Sequence, residues 1–137
     1  MESQGIDLRS LRDLIPFATE LGIELLEAGP DLVRARLEWA RERTTNLNVM
    51  HGGVIMGLAD TCGGVGAFLN LPQGAVGTAT IESKTNFLRA VRSGSITATC
   101  RPLHSGRTLI VLETEVARDD GKLAAKVSQT QIYHYAA

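Results

Sequence analysis

The residues of this chain whose types and spacing could do chemistry are His51-Gly52-Gly53 and, nine positions after the histidine, Asp60. They belong to a stretch, His51 to Asn70, in which Asp60 is the only ionised side chain. The stretch reads as one long helix, apolar on most of its circumference, and such a helix belongs inside a protein. A carboxylate within it is costly to bury unless it is paired or used. The tip of a helix offers free backbone N–H groups and a partial positive charge. Glycine at 52 or 53 lets a carbonyl approach those donors with no side chain in the way. A carboxylate can then act as a nucleophile or take a proton from water. Without that chemistry, His51 is a cap, the glycines are a loop end, and Asp60 faces water or is tied to backbone amides.

Spacing sets a condition on the chemical reading. Nine residues are two and a half helical turns, so His51 and Asp60 lie on opposite faces and about 13 Å apart along the axis. One chain cannot bring Asp60 and its own helix tip to one carbonyl, whereas two antiparallel copies of the helix can. The spacing predicts a homodimer with shared sites, Asp60 from one subunit and Gly52 from the other.

The remaining elements must hold this helix. Residues 8–21 carry Leu11, Leu14, Ile15, Phe17, Ala18 and Leu21 at helical spacing, with Ser10 or Asp7 as cap, Gly22 as stop and a kink or split at Pro16. Residues 23–27 read as a strand, 28–31 as a turn, and 32–39 as a second strand with one wet face. A polar connection over 40–50 leads into the helix. After the break at Leu71-Pro72-Gln73-Gly74 there are four strand patterns: 77–91, 95–103, 108–118 and 123–133. In the first, Ala79, Ile81, Ser83, Thr85 and Phe87 share one face, and Thr80, Glu82, Lys84 and Asn86 the other. The links after the helix are short and carry Gly94, Gly106 and Gly121, which predicts antiparallel neighbours throughout. The fold class is α+β: a six-stranded antiparallel sheet curling around one long helix, in a single domain over 1–137. Gly57, Gly63, Gly64 and Gly66 each cost about 1 kcal/mol in a helix, which points to close approach of another backbone.

Composition removes several function classes. A net charge of −1 and the absence of a basic run give no reason to expect nucleic acid or a membrane surface. The apolar run is broken by Asp60 and glycines, so it is not a membrane span. The polar, acidic start, Met1 to Asp7, is neither a signal nor a transit peptide. Cys62 and Cys100 lack metal-ligand spacing and read as buried free thiols of a cytoplasmic protein.

Asn46, His51-Gly52-Gly53-Val54 and Leu58-Ala59-Asp60 together resemble the signature of hotdog-fold acyl-CoA thioesterases of the phenylacetyl-CoA (PaaI-type) branch, related to the 4-hydroxybenzoyl-CoA thioesterases. Gly22-Ile23-Glu24 is similar to that family's lead into its first strand, Asn86-Phe87-Leu88-Arg89 to the end of its third, and His104-Ser105-Gly106-Arg107 to the turn before its fifth. The resemblance implies hydrolysis of an acyl- or aryl-CoA thioester with no metal and no cofactor beyond the coenzyme A of the substrate. It gives Asp60 the role of nucleophile or base, and the Gly52 amide that of polarising the carbonyl. His51 and Asn46 would orient the substrate or the helix tip, and Thr80 would position water. Gly53, Arg89, Arg92, Gly106 and Arg107 would meet the coenzyme A portion, and two dimers would pair into a homotetramer. The family asparagine usually stands one residue farther from the histidine than Asn46, with Asn48 as competitor, and Ala90 stands where the family commonly has proline. Other readings are a non-catalytic binder of acyl-CoA or of a small aromatic ligand, and an acyl-CoA dehydratase or hydratase. Asp60 argues against the first, and the absence of a His-Phe-Pro-Gly pattern against the second.

Overall fold

The computed structural model describes residues 7–137. Of the stretch Met1 to Asp7, read as neither a signal nor a transit peptide, residues 1–6 lie outside the described residues. The N-terminal helical pattern is split in two, α1 (Leu8–Asp13) and α2 (Pro16–Leu21). Ile15 is extended, as a residue before proline must be, and Pro16 takes the first helical position, where its missing N–H costs nothing. Both predicted caps take part: Asp7 accepts from the Arg9 amide, and Ser10 Oγ donates to its other carboxylate oxygen. Gly22, at φ 86°, ends α2 in the left-handed conformation.

A hairpin of β1 (Glu24–Ala28) and β2 (Val33–Glu38) follows, then a short 3-10 turn at Arg41–Arg43 and the long helix α3 (Gly52–Phe68). The four later strands are β3 (Ala75–Phe87), β4 (Ser95–Ser105), β5 (Leu109–Arg118) and β6 (Leu123–Tyr135). All six form one antiparallel sheet in the order β1-β2-β4-β5-β6-β3, with α3 against strands β2 to β6. This is the expected hotdog architecture. Leu58 and Cys62 of α3, Leu37, Ile96, Ile110, Leu112 and Val116 fill the space between helix and sheet. Among the described residues no helix is long and apolar enough to cross a membrane.

The structure corrects the sequence reading of β3 in two respects. First, β3 and β4 are not neighbours, because β3 pairs with β6 on the far edge. The strand stops at Phe87 rather than 91. The Leu88 and Arg89 amides both turn to the Ala124 carbonyl, and the chain then runs past the start of α3, where Val91 is buried and its carbonyl accepts the Met50 amide. Residues 88–94 therefore cross the end of the sheet instead of closing a hairpin. Second, the simple alternation fails at Ile81. The register with β6 shifts between Thr80 and Glu82, so Ile81 is an extra, exposed residue. Thr78 and Thr80 share the helix-facing side with Gln131 and Tyr133, and beyond the bulge Ser83, Thr85 and Phe87 take it over, opposite Gln129, Val127 and Ala125.

The helix glycines do admit close neighbours, but these are side chains rather than another backbone. The Phe17 ring sits over Gly57, the Gln129 amide over Gly63, and Leu112 over Gly66. Gly64 has open space instead. A β-carbon at Gly63 would overlap the Gln129 amide, which is itself held inside the core. Gly63→Ala is therefore expected to destabilise the fold by about 1–3 kcal/mol, read as a lower urea midpoint at unchanged m-value. An unchanged midpoint would mean that Gln129 can leave its place freely. Cys62 and Cys100 are buried free thiols, as the sequence suggested. Burial pushes both up, Cys100 to about 11, so neither is a ready nucleophile.

Candidate active site

α3 starts where the sequence placed it, and His51 is its cap. The imidazole Nδ1 accepts the Gly53 N–H at 2.8 Å, which requires an unprotonated Nδ1 and leaves Nε2 to carry the ring proton. The His51 carbonyl takes the amides of Val54 and Ile55. Of the first helical amides, Gly53 is thus occupied by the cap, while Gly52 N–H has no partner among the described residues. That free donor opens on a cavity of about 390 Å³ lined by Thr45, Phe87, Leu88 and Arg89 among others. The Phe87 ring lies against Gly52 so closely that a β-carbon there would meet it at 3.0 Å.

Asp60 lies about 12 Å farther along the axis and opens on a different cavity. This one measures about 620 Å³ and lies between α1, α2, α3 and the β3–β6 pair. Leu11, Leu14, Ile15 and Phe17 wall it from the N-terminal helices, and Gly64, Val65 and Phe68 from α3. Asp60 is the one ionisable residue among those lining it, and Thr78, Thr80 and Gln131 stand beside it. The expectation that Asp60 is sunk in apolar surroundings is corrected in part. The carboxylate is exposed in the single chain, at the polar end of an otherwise apolar cavity. Thr80 Oγ1 donates to Asp60 Oδ1 at 2.7 Å; Oδ2 has no partner among the described residues.

Behind Thr80 stands a set of polar groups that the sequence reading did not single out. Gln131 Nε2 donates to Thr80 Oγ1 at 2.5 Å and to Gln129 Oε1 at 2.8 Å. Gln129 Nε2 donates to the Ala59 carbonyl at 3.2 Å, and Thr78 Oγ1 to Gln131 Oε1 at 3.0 Å. Both glutamines are 1% exposed. The signal was present in the sequence: at alternate positions after Ala125 and Val127, the inward face of β6 carries Gln129 and Gln131, polar residues where the pattern demands apolar ones. The wall built by α1 and α2 left no comparable signal.

The other expected site residues are distributed as follows. Asn46 is exposed at the turn between Thr45 and Val49. Asn48 adopts φ 58° and its carbonyl accepts the Trp39 indole N–H, so its residue type answers a backbone requirement. Arg89 lines the helix-tip cavity and donates to the Leu123 carbonyl. Arg92 lines a third cavity beside Arg118, Asp119 and Asp120, where the Arg118 guanidinium holds Asp120 down to about 2. Gly106 and Arg107 form the β4–β5 turn, where the Arg107 carbonyl accepts the Tyr135 hydroxyl at the far end of β6 from Leu123. Within one chain, Gly106 and Arg107 therefore stand at the opposite end of the sheet from Arg89 and Arg92. Phe68 lines the Asp60 cavity, whereas Met56 and Leu69 do not.

Residues 47–125, which include α3, all of β3, β4 and β5 and the first residues of β6, match the model of the thioesterase superfamily. A Mycobacterium tuberculosis protein named as an esterase is 30% identical over 114 residues, 82% of this chain and 81% of that protein. The proofreading thioesterase EntH of Cronobacter turicensis is 32% identical over 104 residues, 74% of each chain. The crystal structure of a Haemophilus influenzae thioesterase superposes with a TM-score of 0.88 at 28% identity, covering 98% of this chain and 94% of that one. With its helix capped by His51 and its curved six-stranded sheet, the chain belongs to the thioesterase superfamily and is a hotdog-fold thioester hydrolase.

Proposed function

We propose that the protein hydrolyses an acyl- or aryl-CoA thioester to the free acid and coenzyme A in sites shared by two subunits. The observation that carries this reading is Asp60 at the mouth of the apolar cavity, one oxygen held by Thr80 and the other without a partner among the described residues. The acyl group occupies the cavity under α1 and α2. The free Gly52 amide of the other subunit donates to the thioester oxygen as it gains charge. In one variant Oδ2 attacks the carbonyl carbon, the C–S bond breaks, and the thiolate leaves and takes a proton; water then cleaves the resulting anhydride. In the other, Asp60 takes the proton of a water that attacks directly. No cofactor is needed beyond the coenzyme A of the substrate.

The dimer is supported by the two separate cavities, one holding Asp60 and the other Gly52. It is also supported by the edge of β3, unpaired among the described residues, and by the apolar side chains exposed on α3 and β3, Met56, Phe68 and Ile81. Pairing of two dimers into a tetramer is what the family resemblance implies, and residence in the cytoplasm is what the two free thiols favour. Across the dimer, Arg89 and Arg92 of one subunit and Gly106 and Arg107 of the other are candidates for the phosphates of coenzyme A.

The test is thiol release from a panel of aromatic, short-chain and long-chain acyl-CoAs by the purified protein. Turnover of at least one class is expected, with sedimentation giving an even number of subunits. Tight binding of every ester without thiol release would leave a binding protein instead. Single-turnover hydrolysis in oxygen-18 water then separates the variants, since only the anhydride route can label Asp60.

A further inference from the structure

The two buried glutamines of β6 have a direction, and the backbone fixes it. A carbonyl oxygen can only accept, so the Ala59 carbonyl demands the amide nitrogen of Gln129. That turns Gln129 Oε1 toward Gln131, which must answer with its own amide nitrogen. The same nitrogen reaches Thr80 Oγ1, and Thr78 satisfies the remaining Gln131 oxygen. With a donor already on its oxygen, the Thr80 hydroxyl has its proton free for Asp60 Oδ1. The chain of bonds thus starts at the carbonyl of Ala59 and ends on the carboxylate of the next residue.

We propose that Gln129 and Gln131 are positioning residues that lock Thr80 as a donor to Asp60 Oδ1, leaving Oδ2 as the reacting oxygen. This rests on the reading of Asp60 as the reacting carboxylate. Two buried amides are an expensive way to fill a core, and an apolar pair would pack the space without fixing any proton. Gly63 leaves room for the arrangement, since any side chain there would displace Gln129. No second ionisable residue from α1, α2, α3, β3 or β6 lines the cavity with Asp60, so a change in how the carboxylate titrates reports on this relay.

The test compares Gln131→Met, Thr80→Val and the double variant. A hydrogen bond to a carboxylate favours its charged form. Losing one is expected to move the acid limb of the kcat profile upward, with KM little changed. Gln131→Met and Thr80→Val should move it alike, and the double variant no farther than either. The Asp60 resonance in protein labelled with carbon-13 at the aspartate carboxyls should show the same displacement without substrate. If Gln131→Met lowers activity evenly at all pH values and leaves the Asp60 titration in place, the glutamines are packing only. Additive displacements in the double variant would equally remove Gln131 from the path through Thr80. Where Gln131→Met does not fold, Gln129→Met breaks the anchor at Ala59 and should give a smaller shift of the same sign; no shift overturns the proposal. The carbon-13 titration reads the relay even if Asp60→Asn proves active, so failure of the catalytic reading and failure of the relay are separate results.

Discussion

Asp60→Asn is expected to lower kcat for thioester hydrolysis about 10²–10⁴-fold while KM changes little. Asparagine keeps the shape of the side chain and an oxygen that accepts from Thr80, so the bond that orients the group survives. What is lost is the charge, and with it the nucleophile or base that the proposed mechanism requires. The side chain is exposed at the cavity mouth, so the fold has no stake in its ionisation. Melting temperature and acyl-CoA binding, followed by calorimetry, should stay near those of the parent. Hydrolysis at more than a tenth of the parent rate would show that another group activates the nucleophile.

The second large effect is at the helix tip. Gly52→Pro removes one backbone N–H and adds a ring beside Phe87. That amide has no partner among the described residues, so no helical bond is broken. Position 52 is the first of the helix, where proline is accepted, and His51 already has the extended backbone (φ −63°, ψ 134°) that a following proline imposes. The ring must displace Phe87, a half-exposed side chain free to swing. A loss of about 10²–10³-fold in kcat is expected, the usual effect of deleting one donor to a developing oxyanion.

The pair of variants also tests how the site is divided. In a mixed dimer of Asp60→Asn and Gly52→Pro subunits, one site combines both lesions and the other combines the intact Asp60 with the intact Gly52. Equal mixing and refolding should restore about one quarter of parental activity, since half the dimers are mixed and each has one good site of two. A mixture as inactive as its components would place Asp60 and Gly52 of the same chain in one site. The 12 Å along the helix makes that outcome incompatible with α3 as it stands.

Much of this was legible in the sequence because it broke a pattern. Asp60 is a charge in an apolar helix, and Gly52-Gly53 are helix-weakening residues at a helix start. Each misfit marks a place where packing does not explain the residue. Gln129 and Gln131 are misfits of the same kind on β6, polar residues at positions where the alternation through Ala125 and Val127 calls for apolar ones. The position of β3 at the sheet edge was not legible. A short glycine-containing link looks like a hairpin, and only the early end of the strand at Phe87 reveals a crossing. For the same reason Arg89 and Arg92 could not be separated from Gly106 and Arg107. The wall made by α1 and α2 escaped because an amphipathic pattern tells which side of a helix is apolar, not what that side covers.

The bulges of β3 carry a consequence for how this protein can change in length. Along a paired strand, losing one residue exchanges the side facing the core for the side facing water. The register of β3 on β6 slips twice, once at Val76 and once at Ile81, and both extra residues are exposed. These are the places in the strand where the chain can lose a residue and keep its inside and outside. A deletion elsewhere in β3 turns the positions beyond it over, so that side chains now facing the helix are replaced by their outward neighbours. Variation in length among descendants of this chain is therefore expected to collect at Val76 and Ile81, with the threonines between them fixed in number.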